Sequence, residues 1–385
     1  MSNALSHKLF LKSPSILKAG ITAALTASVA LGSGCVWKPD LAATQLKQWE
    51  LPTSRYVEVS DAKVHVAESA LCHSTAVTDS NKALAASAAN GNSSSTLLRH
   101  PSTINSQPHQ TQTHHAQADP SQSSPAQAAT TGDGVETLVL IHGTSASLHT
   151  WNGWTRELEN DYCVVRLDLP AFGLTGPYTE PSKRYSMDNY VTTVVQVMDK
   201  INIDKATIAG NSLGGGVAWL TTLQHPQRIN RLILVDSMGF KFEPKHIPVG
   251  FKLAQYPVLD PIVAKVLPKS LVRKSIESVY VDDSKISDDL VTRYFELTRR
   301  EGNRQALTQR MREGIVMDEV SELGRIQQPT LIMWGKQDDL IPVDSAYKFK
   351  QAIPNSKLVI FNNLGHVPHE EDPKATAAVV KQFMQ

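Results

Sequence analysis

The sequence predicts an α/β protein with a mostly parallel, doubly wound sheet of about eight strands and a helical cap inserted after the sixth strand. Three observations support this prediction. Short, continuous apolar runs recur along the chain and are typical of strands buried on both faces. Helix-length amphipathic segments separate these runs. Residues 239–326 contain only helical patterns punctuated by prolines, which indicates a cap between two strands.

The strands are predicted in chain order from these patterns. Residues 56–59 and 63–66 alternate apolar and polar side chains and predict an antiparallel pair. In parallel sheets ligands bind beyond the C-terminal ends of the strands, so we expect functional residues directly after the apolar runs. The buried strands are predicted at residues 138–141, 164–167, 206–209, 232–235, 331–334 and 358–361, and the main helices at 187–200, 213–225, 343–352 and 374–384.

Changes in composition along the chain indicate its domain organisation. Because residues 69–134 are rich in Ser, Ala, Gln and Thr and nearly lack aromatic residues, we expect them to be a disordered insertion. The predicted segments are an export signal at 1–35, the first two strands of the folded domain at 36–68, the insertion at 69–134, the first half of the core at 135–238, the cap at 239–326 and the second half of the core at 327–385.

The first 35 residues resemble the signal of a bacterial lipoprotein. Three lysines precede a short apolar stretch, and Gly34-Cys35 follows it. The apolar stretch is too short to predict a membrane-spanning helix. We therefore expect lipidation at Cys35 and a membrane-anchored protein facing the periplasm or cell surface, with plain secretion or an uncleaved anchor as alternatives. We expect no disulfide framework, and both remaining cysteines, Cys72 and Cys163, to be inert.

The charge balance excludes one class of partner. Lys and Arg number 38 and Asp and Glu 37, so no strong field attracts nucleic acid. Four histidines of the insertion, His100, His109, His114 and His115, match no metal-ligand spacing. We therefore predict no nucleic-acid partner, no metal and no cofactor.

Residues 210–214 (Gly-Asn-Ser-Leu-Gly) form a G-x-S-x-G motif between a predicted strand and a predicted helix. In this context the motif is a nucleophile elbow, in which glycines permit a tight turn and the helix N-terminus favours negative charge. Ser212 is therefore the predicted nucleophile.

A serine nucleophile needs a base, and the base needs a carboxylate. His366 lies just past the last predicted strand and is the predicted base, whereas His369 is expected to line the pocket rim or to start the last helix. Asp338 follows the preceding strand and is the predicted acid, with Asp339 as a solvated neighbour. Asp236, at the end of an earlier strand, stays open as a second candidate for the acid.

The developing oxyanion needs hydrogen-bond donors. The main-chain N–H of Leu213, directly after the nucleophile, is the first predicted donor. The loop after the strand at 138–141 supplies the second, and the N–H of Thr144 is its predicted source. His142 is expected to hold this loop rather than to act as a base.

Together these motifs resemble the α/β-hydrolase superfamily, and in particular capped bacterial serine esterases and lipases. The resemblance covers roughly residues 50–68 and 136–385. The sequence departs from the family pattern at Ala171, where a glycine is common, and in the long insertion. The motifs that carry it are His142-Gly143, residues 168–173, residues 210–215, Asp236, residues 334–338 and Gly365-His366.

The resemblance implies hydrolysis of a small-molecule carboxylic ester through an acyl-enzyme on Ser212. Two alternatives stay open. Carbon–carbon bond hydrolases share the Gly-Asn-Ser-Leu/Met-Gly-Gly elbow, although they act on cytoplasmic substrates, which fits poorly with an export signal. A protein of this fold that only binds would normally have lost part of the triad.

Overall fold

The structure is a computed structural model. It describes residues 38–73, 134–247, 251, 256, 266–314 and 317–385. The chain divides into two compact units, Met1–Cys72 with Glu136–Gln385, and His73–Val135. Most of the second unit lies outside the described residues, as do the predicted export signal and Cys35, so those predictions stay untested.

The first unit contains one eight-stranded sheet in the order β1-β2-β4-β3-β5-β6-β7-β8. β1 pairs antiparallel with β2, and β2 antiparallel with β4, whereas all other neighbours are parallel. The predicted mostly parallel sheet is therefore confirmed. The strands are β1 Ser54–Val59, β2 Ala62–Glu68, β3 Thr137–Ile141, β4 Cys163–Leu167, β5 Ala206–Asn211, β6 Ile229–Val235, β7 Thr330–Gly335 and β8 Ser356–Phe361.

Helices lie between the strands, as the amphipathic segments predict. The described α-helices are α1 Asn152–Leu158, α2 Met187–Lys200, α3 Leu213–Gln224, α4 Lys269–Glu277, α5 Asp288–Thr298, α6 Asn303–Arg312, α7 Asp344–Ala352, α8 Pro368–Glu371 and α9 Pro373–Met384. Of these, α4, α5 and α6 lie between β6 and β7, where the cap is predicted. None of the described helices is long and apolar enough to cross a membrane.

Local sequence explains where these helices begin. Ser186 and Ser287 accept hydrogen bonds from main-chain N–H groups of the first turns of α2 and α5, which satisfies donors that have no partner within the helix. Asp372 caps α9 in the same way, and Pro373 follows as its first residue. The apolar faces then pack on the sheet, where Trp151 and Trp154 are fully buried among strand residues such as Leu138.

The expectation that Cys72 and Cys163 are inert is wrong, because the structure joins them in a disulfide with a Cα–Cα distance of 4.5 Å. The structure describes the chain after β2 as far as His73, beyond the predicted start of the insertion at residue 69. Ser69 donates from its N–H to the carbonyl of Val164 at 2.9 Å, which extends the β2–β4 pairing and brings the two cysteines together. A contact between two cysteines 91 residues apart in sequence is not visible in composition.

Candidate active site

Ser212 lies in a tight turn between β5 and α3, with φ +53° and ψ −116°. Non-glycine residues rarely adopt such a conformation, which here places Ser212 at the end of the sheet, where it lines a cavity. The turn needs glycine on both sides. A Cβ at Gly210 would lie 2.0 Å from the carbonyl oxygen of Gly214, and a Cβ at Gly214 would lie 2.2 Å from that of Ile141. The local geometry is that of a nucleophile elbow.

His366 and Asp338 form a buried pair at the same end of the sheet. The Nδ1 atom of His366 lies 2.7 Å from Oδ2 of Asp338. Oδ1 of Asp338 accepts hydrogen bonds from the main-chain N–H groups of Leu340 at 2.8 Å and Ile341 at 2.9 Å. These donors stabilise an ionised carboxylate, which in turn stabilises a protonated imidazole. Ser212 and His366 line the same cavity, so the structure brings the three predicted residues together.

The segment that carries His366 is held by three groups that the sequence analysis does not identify. Asn211 donates from Nδ2 to the carbonyls of His366 at 3.0 Å and Val235 at 3.1 Å. The N–H of His366 donates to the carbonyl of Val279 in the cap region at 2.9 Å. Glu371 accepts from the N–H of Gly365 at 2.9 Å. The base is therefore fixed both to the nucleophile turn and to the cap.

The two other candidate acids occupy different positions. Asp339 is exposed and pairs with Lys245 at 3.2 Å. Asp236 is fully buried, and its Oδ1 accepts from the N–H of Gly335 at 3.0 Å. Asp338 is the one that forms the short contact with the histidine. Among the described residues, Asp236, Asp338 and His366 are also the one group of side chains close enough to hold a metal ion, but that group coincides with the acid–base pair.

The loop after β3 lies against the nucleophile. A Cβ at Gly143 would lie 3.1 Å from Cβ of Ser212, so glycine permits this approach. Thr144 lines the cavity. The N–H of Leu213 belongs to the first turn of α3, where main-chain donors have no partner within the helix. Leu213 directly follows Ser212, and Thr144 lines the same cavity as Ser212, while the oxyanion role of their N–H groups stays a prediction.

His142 holds this loop from within the core. Its Nδ1 lies 2.7 Å from the carbonyl of Gly143, and its Nε2 accepts from the N–H of Leu169 at 3.0 Å. Because burial lowers the pKa of His142, the ring is neutral, with the proton on Nδ1. This arrangement fits a structural role for His142, as expected from the sequence.

Asp168 supports the same loop from the end of β4. It accepts from the N–H groups of Leu148 at 2.6 Å and Leu174 at 2.8 Å, and its Oδ2 lies 2.8 Å from Nδ1 of His65. Burial alone would raise the pKa of Asp168, but the hydrogen bond and charge of His65 outweigh burial and lower it to about 2. The signal in the sequence is the aspartate directly after a buried strand.

A cavity of about 520 Å³ opens onto Ser212 and His366. Most of its lining is apolar and comes from the region between β6 and β7. Two arginine residues also line it. Arg304 pairs with Asp40, whereas Arg310 is buried and has no carboxylate partner among the described residues. The apolar lining includes Phe242, Leu271, Val272, Ile276, Leu307 and Met311.

His369 neither lines the cavity nor starts the last helix, so both expectations from the sequence are wrong. It is fully buried in α8, with its ring centroid 4.0 Å from that of Trp151 and its Nε2 3.0 Å from Oγ1 of Thr150. Burial lowers its pKa to about 3. The next residue, Glu370, contacts Arg293 and Tyr294 of α5 and so ties the cap to the core. A helix of four residues is too short for its hydrophobic pattern to reveal this burial.

Comparison with known proteins gives the same architecture. The model of the α/β-hydrolase fold family matches residues 136–373. The chain is 30% identical over 267 residues to a 2-hydroxy-6-oxononadienedioate/2-hydroxy-6-oxononatrienedioate hydrolase from Cupriavidus pinatubonensis, covering 66% of this chain and 88% of that protein.

Two solved structures are similar in fold. A meta-cleavage product hydrolase from Pseudomonas fluorescens has a TM-score of 0.56 and 24% identity, over 65% of this chain and 90% of that one. A membrane phospholipase A has a TM-score of 0.59 and 21% identity, over 96% of this chain and 97% of that one. The second alignment extends over nearly the whole chain, whereas the first covers about two thirds of it.

Proposed function

The chain belongs to the α/β-hydrolase fold family and is a hydrolase of that family, and from this premise we propose that it cleaves carboxylic esters through an acyl-enzyme on Ser212. The observation that carries the ester assignment is the largely apolar cavity beside Ser212 and His366. Such a cavity accepts a hydrocarbon acyl chain by removing its surface from water.

The proposed reaction proceeds in two steps. Ser212 attacks the ester carbonyl carbon while His366 takes the hydroxyl proton, and the N–H groups of Thr144 and Leu213 stabilise the oxyanion. The C–O bond to the alcohol then breaks, and His366 returns the proton to the departing alkoxide. Water, deprotonated by His366, then attacks the acyl-enzyme, the bond to the Ser212 oxygen breaks, and His366 returns the proton to that oxygen as the carboxylic acid leaves. Asp338 orients the imidazole and stabilises its charged form throughout.

Carbon–carbon bond hydrolysis is the second candidate, and the relatives favour it over ester cleavage, since several curated relatives are named for such substrates. A dienedioate carries two carboxylates, and each needs a donor or a cation when buried. Arg310 is the described cavity-lining cation without a carboxylate partner, so it is the group that would receive one of them. Cleavage of an uncharged ester requires no such cation in the pocket.

One experiment separates the two candidates. The purified protein is tested with p-nitrophenyl esters of graded acyl length and with a 2-hydroxy-6-oxo-dienedioate. The same assays are run on Arg310→Met and on the control Arg325→Met, which replaces an exposed arginine. Ester cleavage predicts turnover that rises with acyl length, with Arg310→Met within about threefold of the parent. Carbon–carbon bond hydrolysis would be assigned instead if the protein turned over the dienedioate and no ester, and if Arg310→Met reduced that turnover roughly 100-fold.

We further propose that the protein is exported and attached to a bacterial membrane through lipid on Cys35. The disulfide between Cys72 and Cys163 supports an oxidising compartment, because disulfides are rare in the cytosol. Cells fed a labelled fatty acid should incorporate it into the parent protein and not into Cys35→Ala. Absence of label from the parent would contradict lipidation, and reduced cysteines in the protein taken from cells would contradict export.

A further inference from the structure

Asp236 lies beside the triad without belonging to it. One carboxylate oxygen of Asp236, one of Asp338 and one ring nitrogen of His366 all lie within 4.8 Å of one another. Asp236 has φ +44°, a region that non-glycine residues rarely adopt. Backbone strain of this kind persists only where the surrounding structure enforces it, and it is concentrated at functional sites.

The hydrogen bonds leave one accepting site on Asp338 free and one whole oxygen of Asp236 without a partner among the described residues. Asp338 receives two main-chain N–H groups on Oδ1 and faces the histidine ring from Oδ2. An ionised carboxylate can accept about four hydrogen bonds, so one site on Asp338 remains. Oδ2 of Asp236 is buried and has no hydrogen-bond partner among the described residues. The free site and the unpartnered oxygen complement each other only if one carboxyl group carries a proton.

The charges around the pair favour one protonated acid. Glu371 adds a negative charge, His366 faces Asp338, and no lysine or arginine of the described residues forms an ion pair with Asp236. Two adjacent buried carboxylates cannot both ionise without a large cost. Asp338 has three donors, whereas Asp236 has one, so the proton belongs on Asp236. Burial raises the pKa of Asp236 well above its ordinary value, and the charge of Asp338 raises it further.

We propose that Asp236 is a positioning residue that stays protonated in the resting enzyme and donates a hydrogen bond from Oδ2 to the Asp338 carboxylate. The bond fixes the plane of that carboxylate against the histidine ring. It also draws charge away from Asp338, which weakens the attraction between that carboxylate and the protonated ring formed during the reaction. The effect on rate rests on the proposed function, since His366 must act as the base, whereas the protonation state does not.

The first test compares pH profiles of kcat/KM for Asp236→Asn and Asp236→Leu, with Asp339→Asn as an exposed control. Asparagine keeps a donor, so its kcat/KM should stay within about threefold of the parent with an unshifted acid limb. Leucine removes the donor, so kcat/KM should fall roughly tenfold and the acid limb should move to higher pH. A shift to lower pH in Asp236→Asn would mean that Asp236 is ionised, and would overturn the proposal.

The second test needs neither activity nor a variant. Protein labelled with ¹³C at the aspartate carboxyl carbon is titrated by NMR, and one carbon should keep the chemical shift of a protonated acid at neutral pH. An ionised shift for every aspartate would overturn the proposal. If esters are not hydrolysed but the protonated carbon is present, the proposed function fails while the protonated Asp236 stands.

Discussion

Asn211 donates a hydrogen bond from its side-chain amide to the main-chain carbonyl of His366, with an Nδ2–O distance of 3.0 Å. The same amide donates to the carbonyl of Val235. The residue directly before the nucleophile therefore ties β5 to the end of β6 and to the segment that carries the base. Asn211 is 2% exposed, so water cannot replace these bonds.

Asn211→Leu is expected to reduce kcat by roughly 10- to 100-fold, because small displacements of the base are costly. Loss of both donors should also lower the free energy of unfolding by about 1–3 kcal/mol. Asn303→Leu is the matched control, since Asn303 is a buried asparagine whose side chain donates to the carbonyls of Gly173 and of Leu297 in the cap. It should lose similar stability but keep kcat. Equal losses of kcat in both variants would contradict a specific role for Asn211.

The adjacent aspartates 338 and 339 provide a second matched pair. Asp338→Asn should reduce kcat by about 10²- to 10⁴-fold, because the amide no longer stabilises the protonated imidazole of His366. Asp339→Asn removes only an exposed ion pair with Lys245 and should change kcat less than about twofold. Steady-state kinetics on the folded variants measure both. A large loss in Asp339→Asn, or none in Asp338→Asn, would assign the acid differently.

Most of the fold could be predicted from the sequence, because buried strands and amphipathic helices carry local periodic signals. The helix predicted at 187–200 has the same bounds as Met187–Lys200, and the strand predicted at 206–209 is extended by two residues in Ala206–Asn211. The nucleophile turn is also local, since its glycines are required by contacts within a few residues of Ser212 and with the neighbouring strand.

The features that could not be predicted depend on contacts between distant segments. The disulfide between Cys72 and Cys163 follows from the pairing of β2 with β4. The burial of His369 follows from its packing on Trp151, more than 200 residues earlier in the chain. The position of Asp236 beside Asp338 required the order of β6 and β7 in the sheet. Periodicity along the chain contains none of this information.

Breaking the disulfide should destabilise the folded domain. Reduction, or Cys163→Ala with Cys72→Ala, is expected to lower the free energy of unfolding by about 2–5 kcal/mol, since the bond closes a long loop in the unfolded chain. Urea denaturation of the parent with and without a reducing agent measures this loss. The double variant should be insensitive to the reducing agent. Equal stability of the oxidised and reduced parent would contradict a structural disulfide.

Asp236→Asn should make the free energy of unfolding less dependent on pH. The raised pKa of Asp236 means that the folded state holds one more proton than the unfolded state above the ordinary aspartate value of about 3.9. The stability of the parent therefore falls by about 1.4 kcal/mol per pH unit from this group, until the pH reaches the folded pKa. Denaturation of both proteins at several pH values measures the difference in slope.

Asp168 serves as the control, because its contribution to the free energy of unfolding changes with pH in the opposite direction. Its pKa is lowered to about 2, so it contributes stability above the ordinary aspartate value that is lost as the pH falls toward 2. Asp168→Asn should therefore destabilise the protein most at neutral pH and least in acid. Parallel pH dependences in the Asp236→Asn protein and the parent would contradict a protonated Asp236.

Labelling of the nucleophile tests the central claim most directly. The parent protein is treated with a fluorophosphonate, and the adduct is located by mass spectrometry of its peptides, alongside Ser212→Ala and His366→Ala. One adduct should form, on Ser212, and neither variant should be labelled at a comparable rate. Each variant should lose roughly 10³-fold or more in kcat, and their combination little more, because the two residues act as a unit. An unlabelled parent protein, or hydrolysis that survives in folded Ser212→Ala, would contradict a serine hydrolase built on this triad.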